Sequence, residues 1–447
     1  MSKHQEPTGR TDEPQITLRG PAELADALPY MLGYHPTDSV VLVALHGSRG
    51  RFGGRVRLGI PHSPKEWPSV AGQLAECLIE GSERRGKRPD GMVLFLCQDP
   101  GEGESGPAVM ERLRPLAQGL RTACGAHDVP VYEALCISGG RFWSYCCPDE
   151  RCCPPEGNAM AVPGTSVMAA AAAYAGIQVR GSLRELEAGL EPPATPAAAE
   201  QRRALDRAAF ALVPRILEGA GRRGVAEETI ALARAALERF AGAPRRAGRA
   251  ETDRADDLLI THDEAATLII GLQDRETRDR AAEWMEGPEA EPALRLWRVL
   301  CRRCVAPYAE HAAAPLTLAG WVSWSTGDEP AARVALGLAL NRDPEYVFAR
   351  LLHQACNEDL DPETLRDCLR EERGRREAAA GGTASPEPSG SHSPPRRDST
   401  AVRRSGTRAR ATRPAAGRPR RAAAPRTGRA AGIRARRGGP EERRDDR

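Results

Sequence analysis

The chain has 447 residues and a formal net charge of +3, and its length exceeds what one hydrophobic core usually serves, so we expect at least two domains. Nearly all of its basic residues are arginine, and alanine, glycine and proline are abundant, a bias typical of a GC-rich genome rather than of selection for phosphate binding. Residues 1–15 are polar and are expected to be disordered without a secretory signal, and the uncharged residues 158–179 are too alanine-rich to span a membrane. The sequence therefore predicts a cytoplasmic protein whose 12 cysteines are reduced thiols.

The stretch over residues 27–45 joins a short helix to the most apolar strand that the sequence predicts. Pro21 suits the first turn of this helix, and Gly33 suits a left-handed cap at its end. A turn over residues 34–38 then leads to residues 39–45, which are continuously apolar. Such a run predicts a strand that is covered on both faces.

Residues 16–190 are predicted to form an α/β domain with the element order β-β-α-β-α-β-β. The pair Gly139–Gly140 predicts a two-residue hairpin turn, because glycine accepts the positive φ angles that this turn needs. The pattern favours a mixed sheet with helices packed on it. Beyond the opening strand, strands are expected over residues 55–60, 91–97, 129–138 and 141–146, and helices near residues 67–85, 107–124 and from about 165.

Two motifs carry a resemblance to a known family. The sequence LPYMLGYHPTDSVVLV (residues 28–43) resembles the opening motif of an actinobacterial family catalogued as domain of unknown function 4192, and WSYCCPDERCCPPEG (residues 143–157) resembles its second landmark. The resemblance extends over residues 16–370. It implies a shared architecture and a bacterial cytoplasmic setting, and it implies no activity because none is established for the family.

The segment GEGESG, residues 101–106, is a literal GxGxxG between a buried strand and a helix. In a dinucleotide site such glycines bring backbone amides to a pyrophosphate, but the carboxylates here would repel it, and Asp128 precedes the next strand instead of ending it. A solvated acidic loop is the favoured interpretation. The loop follows a strand's carboxyl end, where ligands of open α/β sheets bind, so a small-molecule or Mg²⁺ site would involve Asp99, Gly101, Glu102, Gly103, Glu104 and Gly106.

The opening turn offers a second set of polar residues, His35, Asp38 and Ser39. These residues lie at the amino end of their strand, whereas α/β sites favour carboxyl ends. We therefore interpret Asp38 as a turn-forming residue and expect any site to lie at the opposite edge of the sheet.

Four cysteines, Cys146, Cys147, Cys152 and Cys153, lie within eight residues and could supply a tetrahedral zinc site. Adjacent residues of an extended chain point to opposite faces, so all four sulfur atoms do not converge easily. Partly buried thiols in a proline-rich turn are the favoured alternative to zinc. The CxxC pair Cys301 and Cys304 extends a helical apolar pattern, which favours buried core thiols.

Residues 197–370 are predicted to be an all-helical domain, in which Thr261 and Glu264 form a capping box. Residues 313–346 match the 34-residue tetratricopeptide pattern, although Ser323 stands where an aromatic residue is usual and the register fails from residue 347. One tetratricopeptide-like helical hairpin is therefore expected, as a generic hairpin or as part of a partner-binding surface. The matching positions are Gly320, Gly327, Ala332, Ala339 and Pro344.

Residues 371–447 are predicted to be a disordered, arginine-rich tail. Residues 378–447 contain 18 arginines and 6 acidic residues, a net charge of +12, so the rest of the chain carries −9 of the overall +3. Residues 396–447 could bind nucleic acid in a salt-sensitive and sequence-independent way, but they hold no aromatic residue on which bases would stack. A solvated appendage or a shifted reading frame would give the same composition.

The sequence matches no standard nucleophile or acid–base constellation. It favours a non-catalytic cytoplasmic interaction or regulatory protein with a protein partner, no membrane and no cofactor. A ligand-binding or metal-binding α/β enzyme that uses the acidic glycine-rich loop, with Zn²⁺ or Mg²⁺, is the first alternative. A protein that associates with nucleic acid through its tail is the second.

Overall fold

The computed structural model describes residues 18, 20–358 and 360–381. Strands and helices alternate in the first part of this range, and only helices follow. The strands are β1 (Ser39–His46), β2 (Arg51–Gly59), β3 (Gly91–Cys97), β4 (Val131–Ser138), β5 (Arg141–Ser144) and β6 (Asn158–Ala159). The helices are α1 (Pro21–Leu32), α2 (Trp67–Arg84), α3 (Gly106–Ala126), α4 (Val167–Tyr174), α5 (Leu183–Ala188), α6 (Ala197–Leu217), α7 (Arg222–Gly242), α8 (Arg249–Asp256), α9 (His262–Gly271), α10 (Arg275–Ala281), α11 (Gly287–Arg303), α12 (Ala313–Ser325), α13 (Glu329–Arg342), α14 (Val347–Asn357) and α15 (Glu363–Gly381).

Within the described residues, the sheet has six strands in the order β2-β1-β3-β4-β5-β6, and the predicted mixed α/β class is confirmed. Strands β3 and β4 are parallel, and each of the other neighbouring pairs is antiparallel. Strand β2 is a half-exposed edge strand that begins at Arg51, earlier than predicted, because Phe52 pairs with Leu45 beyond a bulge in the ladder. The connection between β1 and β2 is therefore only residues 47–50.

Helices cover both faces of the sheet. Alternate residues of β1 point to opposite faces of the sheet. Val40 and Leu42 pack with α2 and α3, whereas Val41 and Val43 pack with α1 and α5. Val334 of α13 is buried in the second of these cores, at 8% exposure. The helical part of the chain therefore completes one face of the sheet.

Gly33 forms the joint between the opening motif and the helical part. It ends α1 with a left-handed φ of +81°, and its amide donates to the Pro29 carbonyl at 2.8 Å. A Cβ atom at this position would lie 2.2 Å from Cγ of Pro330, the second residue of α13. Glycine is therefore required both by the backbone conformation and by the close approach of α13.

The helices that follow share one hydrophobic core, in which Trp284 and Trp297 stack with ring centroids 5.9 Å apart. Helix α12 is buried at each of its residues. The predicted capping box is present, because Thr261 accepts from the Glu264 amide at 3.2 Å and Glu264 accepts from the Thr261 amide at 2.9 Å. None of the described helices has the length and apolarity that a membrane span needs.

Helix α15 packs on the helical core through Leu365 and Leu369 and forms ion pairs with it. Glu286 accepts from Arg366 and Arg370 of α15 at 2.6 Å each, and Arg373 pairs with Glu289 at 2.7 Å. The helix extends to Gly381, so residues 371–381 of the predicted tail are helical. The rest of that tail and residues 1–17 lie outside the described residues.

Candidate ligand-binding site

The opening turn and the glycine-rich loop lie at the same edge of the sheet. Strand β1 runs antiparallel to β3, so Ser39 at the start of β1 pairs with Cys97 at the end of β3. The prediction that the opening turn lies at the edge opposite the glycine-rich loop is therefore wrong. It assumed that the two buried strands run in the same direction, and apolar runs alone do not indicate strand direction.

A chain of hydrogen bonds crosses this edge from α5 to α3. Arg184 donates to Asp38 Oδ2 at 2.8 Å, and Gln98 donates to Asp38 Oδ1 at 3.2 Å. Arg112 donates to Gln98 Oε1 at 2.9 Å and forms a two-point ion pair with Glu104 at 2.9 and 3.0 Å. The hydrogen bonds from Arg112 keep the pKa of Glu104 below its usual value. Glu104, a candidate metal ligand in the sequence, and Asp38, the expected turn-forming residue, are thus both paired with arginine.

The GxGxxG segment serves its own loop geometry. The Gly101 amide donates to Glu104 Oε2 at 3.2 Å, and Gly103 has a left-handed φ of +76°. Asp99 Oδ1 accepts from the Gly139 amide at 2.9 Å, while Glu102 is exposed. The amide of the first glycine is therefore directed at a carboxylate of this loop rather than outward to a pyrophosphate.

A cleft of about 320 Å³ opens beside this loop, where β4 ends and α3 begins. Gly106 forms part of its floor, because a Cβ atom there would lie 2.5 Å from Cη2 of Trp143. The carboxyl end of a strand next to a helix N-terminus is the place where open α/β sheets bind ligands. The residues that line the cleft are Pro100, Gly106, Pro107, Ser138, Gly139, Arg141, Trp143 and Glu156.

Ser138 lines this cleft, and its hydroxyl is buried. The residue is 1% exposed, and its Oγ has no hydrogen-bond partner within the described part of the chain. Side chains alternate along β4, so Ser138 shares the face of Cys136, which packs against α3 and Trp143. A buried hydroxyl without a partner costs about 1–3 kcal/mol, and a bound polar group would remove this cost.

Two sources of positive potential face the same cleft. Helix α3 is 21 residues long and begins at Gly106, with Ser105 as its N-cap. Arg141 is exposed and donates only through Nη1, to the Gly157 carbonyl at 2.8 Å and the Glu156 carbonyl at 3.4 Å, among the described residues. Its remaining N–H groups, the helix N-terminus and the Ser138 hydroxyl can together bind an anionic oxygen.

Three of the four clustered cysteines come together beyond the hairpin. The sulfur atoms of Cys147, Cys152 and Cys153 lie within 4.8 Å of one another, whereas Cys146 packs on the core beneath α3. The argument from opposite faces holds for Cys146 and Cys147, but Cys152 and Cys153 lie in a turn and therefore point to the same side. Burial, and then interactions with the neighbouring thiols of Cys147 and Cys152 that favour the protonated form, raise the pKa of Cys153 to about 12.

The other residues that the sequence offered as candidates are hydrogen-bonded or buried within the fold. The backbone of His35 bonds to Gly181 and Leu183, and burial lowers the pKa of its imidazole. The hydroxyl of Ser39 donates to the Thr37 carbonyl at 2.6 Å and accepts from an arginine of β2 at 2.8 Å. The CxxC pair, Cys301 and Cys304, is buried in the helical core at 0% and 1% exposure.

Sequence reasoning missed Ser138 and Arg141, which flank the predicted Gly139–Gly140 turn. The turn itself is as predicted, with positive φ angles of 56° and 72° at its two glycines. The available signal was the position of this turn, because it ends a strand that is parallel to the preceding buried one. Polar residues beside such a turn lie at the ligand-binding edge.

Comparison with known proteins adds a family and no activity. No curated protein and no solved structure matches the chain. A family model, described as domain of unknown function (DUF4192), matches residues 21–363, which include the sheet, the cleft, the cysteines and the helical core. The chain belongs to this DUF4192 family.

Proposed function

We propose that the protein is a ligand-binding regulatory protein that recognises a small molecule bearing a carboxylate or phosphate group in the cleft between β4 and α3. The observation that carries this proposal is the unpartnered hydroxyl of Ser138, buried beside the N-terminus of α3 and the guanidinium of Arg141. The cleft volume of about 320 Å³ limits the ligand to roughly the size of a mononucleotide or smaller.

The acidic residues near the cleft favour a ligand with a single anionic group over an extended polyanion. Glu104 is neutralised by Arg112, and Asp99 is bonded to the Gly139 amide. Glu156 remains on the rim, where its carboxylate would disfavour an extended polyanion. A single anionic group, bound at the helix N-terminus and oriented by Ser138, fits this distribution of charge.

The direct test is isothermal titration calorimetry of the full chain with inorganic phosphate, succinate, a nucleoside monophosphate and an uncharged sugar. We expect at least one anionic probe to bind and the sugar not to bind. Arg141→Gln should weaken binding at least tenfold, and Ser138→Ala should weaken it by about five- to thirtyfold, the equivalent of a hydrogen bond worth about 1–2 kcal/mol. Arg121→Gln, on the same helix α3 but away from its N-terminus, is the matched control and should bind like the wild type.

Two outcomes would contradict the proposal. The first is that none of the three anions binds at millimolar concentration. The second is that binding is unchanged in both Arg141→Gln and Ser138→Ala, which would place the anion elsewhere on the molecule.

We also propose, as a second candidate, a non-catalytic interaction role through an exposed apolar stripe on α6. Phe210, Val213 and Leu217 are exposed by 87%, 39% and 79%. They are spaced symmetrically about residues 213–214, so an antiparallel pairing of two copies around a two-fold axis places Phe210 of one copy against Leu217 of the other. The proposed partner is therefore a second copy of this chain.

Light scattering of the purified chain over a range of concentrations tests this pairing. The wild type should show a two-chain species that Phe210→Asp abolishes. Leu258→Asp, which replaces an equally exposed leucine outside the stripe, should leave that species intact. A monomeric wild type at all concentrations would refute the pairing.

We further propose that α12 and α13 are a tetratricopeptide-like hairpin whose surface is used inside the molecule. The support is the close approach at Gly320, where a Cβ atom would lie 2.7 Å from Cγ of Leu336, together with the complete burial of Ala332 and Ala339. Burial of all of α12 leaves that helix no open surface for a partner. The hairpin then supports the sheet through Pro330 and Val334 rather than binding another protein.

A further inference from the structure

Three sulfur atoms beyond the β4–β5 hairpin lie almost at metal-binding distances. The Sγ atoms of Cys147, Cys152 and Cys153 are all within 4.8 Å of one another. A tetrahedral zinc ion with Zn–S bonds of about 2.3 Å needs sulfur–sulfur separations of about 3.8 Å. The thiols therefore need to close by no more than about 1 Å, which small side-chain rotations supply.

The backbone holds these three cysteines in place by bonds that do not involve a metal. The amides of Cys152 and Cys153 both donate to the Asp149 carbonyl, at 3.1 and 2.8 Å, and this turn puts both side chains on one side. The Cys147 amide donates to Ser144 Oγ at 3.0 Å, at the end of β5. The chain thus brings the donors together before any ion binds, which lowers the cost of ordering them.

We propose that Cys147, Cys152 and Cys153 bind one zinc ion as thiolates, with a water molecule in the fourth position. Each thiol releases its proton to solvent as its Zn–S bond forms, so three protons are released for each ion that binds. A set of three sulfur donors selects zinc over Mg²⁺ or Ca²⁺, which prefer oxygen. Cys146, which packs on the core, is not a ligand. This proposal does not rest on the proposed anion cleft.

The position of the site gives the ion a structural role. The loop that carries Cys152 and Cys153 continues to Pro155, whose carbonyl accepts from the Trp143 indole at 2.9 Å, and to Gly157. A Cβ atom at Gly157 would lie 2.4 Å from Trp143, so this loop packs tightly on β5. Zinc would fix one end of the loop while Trp143 fixes the other.

The test measures zinc content and thiol reactivity of the full chain, purified under reducing conditions without an affinity tag and then equilibrated with ZnCl₂. Elemental analysis after gel filtration should find about one zinc per chain in the wild type and in the matched control Cys146→Ser. Cys147→Ser and Cys152→Ser should each lose most of the bound zinc. Zinc should also protect Cys147, Cys152 and Cys153 from alkylation, and treatment with a chelator should restore their reactivity.

A folding defect in the cysteine variants is separated from metal loss by cobalt substitution of the wild type. Tetrahedral cobalt with three thiolates gives intense sulfur-to-metal charge-transfer absorption, which cobalt bound by oxygen ligands lacks. A wild type that holds no zinc, a cobalt complex without this absorption, or equal zinc loss in Cys146→Ser would overturn the proposal. Rapid oxidation of the wild type to a disulfide that zinc does not prevent would also overturn it.

Discussion

Replacing Gly33 by alanine tests the joint between the opening motif and α13. Alanine at this position meets two obstacles: the backbone has a φ of +81°, and the new methyl group would lie 2.2 Å from Cγ of Pro330. Gly327 is a matched control, because it also follows a helix and has a φ of +82°, yet a methyl group there would meet no atom of the described residues within 4 Å. The two substitutions therefore share the conformational strain and differ in the collision.

The expected magnitudes follow from these two contributions. Left-handed backbone costs a non-glycine residue about 1–2 kcal/mol, and this term applies to Gly33→Ala and Gly327→Ala alike. Overpacking adds about 1–3 kcal/mol at Gly33 only. Gly33→Ala should therefore lower the free energy of unfolding by about 2–5 kcal/mol, and Gly327→Ala by about 1–2 kcal/mol.

Urea unfolding followed by tryptophan fluorescence measures both values, and Pro330→Ala completes a double-mutant cycle. Removing the proline ring relieves the contact with Cγ, whereas the Cβ atom that alanine keeps lies 2.8 Å from the new methyl group. The combined variant should therefore be more stable than the sum of the single effects predicts, by about 1–2 kcal/mol. Equal destabilisation by Gly33→Ala and Gly327→Ala, with no coupling to Pro330, would refute the close packing of α13 on the opening motif.

Three further expectations concern other parts of the molecule. Hydrogen bonds from Arg370, with those of Arg366, lower the pKa of Glu286 from 4.5 to about 2. The stabilisation that the Glu286 carboxylate gives is therefore present above pH 4.5 and is lost as the pH falls towards 2. The difference in unfolding free energy between wild type and Glu286→Gln should shrink over that range. Ser138→Ala should not lower the melting temperature of the ligand-free protein, because its hydroxyl has no partner to lose among the described residues. A clear loss of stability would argue against the unpartnered hydroxyl. Any binding of the full chain to DNA at low salt should weaken as the salt concentration rises, because residues 378–447 carry a net charge of +12. That binding should disappear in a chain that ends at Gly381. Binding that persists after this truncation would assign it to the body of the protein.

The sequence predicts the buried strands closely because their signal is local. The run from Gly91 to Cys97 is apolar throughout, and the strand has these same bounds. Helix ends that depend on one residue type could also be predicted from the sequence, as Gly33 and Thr261 illustrate. Strand β2 is longer than predicted because its first residues pair with β1 across glycines that resemble a loop.

Only part of the candidate site could be predicted from the sequence. Which residues meet at the site depends on the direction in which distant strands pair, and the sequence does not indicate that direction. The glycine-rich loop was correctly placed at the carboxyl end of a strand, yet the antiparallel pairing of Ser39 with Cys97 brings the opening turn to that same edge. The Gly139–Gly140 turn marks the position of Ser138, but the sequence does not indicate that its buried hydroxyl has no hydrogen-bond partner among the described residues. The convergence of Cys152 with Cys153 depends on a turn centred on backbone bonds to Asp149, which spacing alone does not indicate.

A crystal structure of the protein grown with the tightest-binding anion from the calorimetry tests the central claim most directly. We expect ligand density between the N-terminus of α3 and Arg141, with an anionic oxygen within hydrogen-bond distance of Ser138 Oγ. Density for that anion only at another surface, with the Ser138 hydroxyl bonded to protein atoms instead, would contradict it.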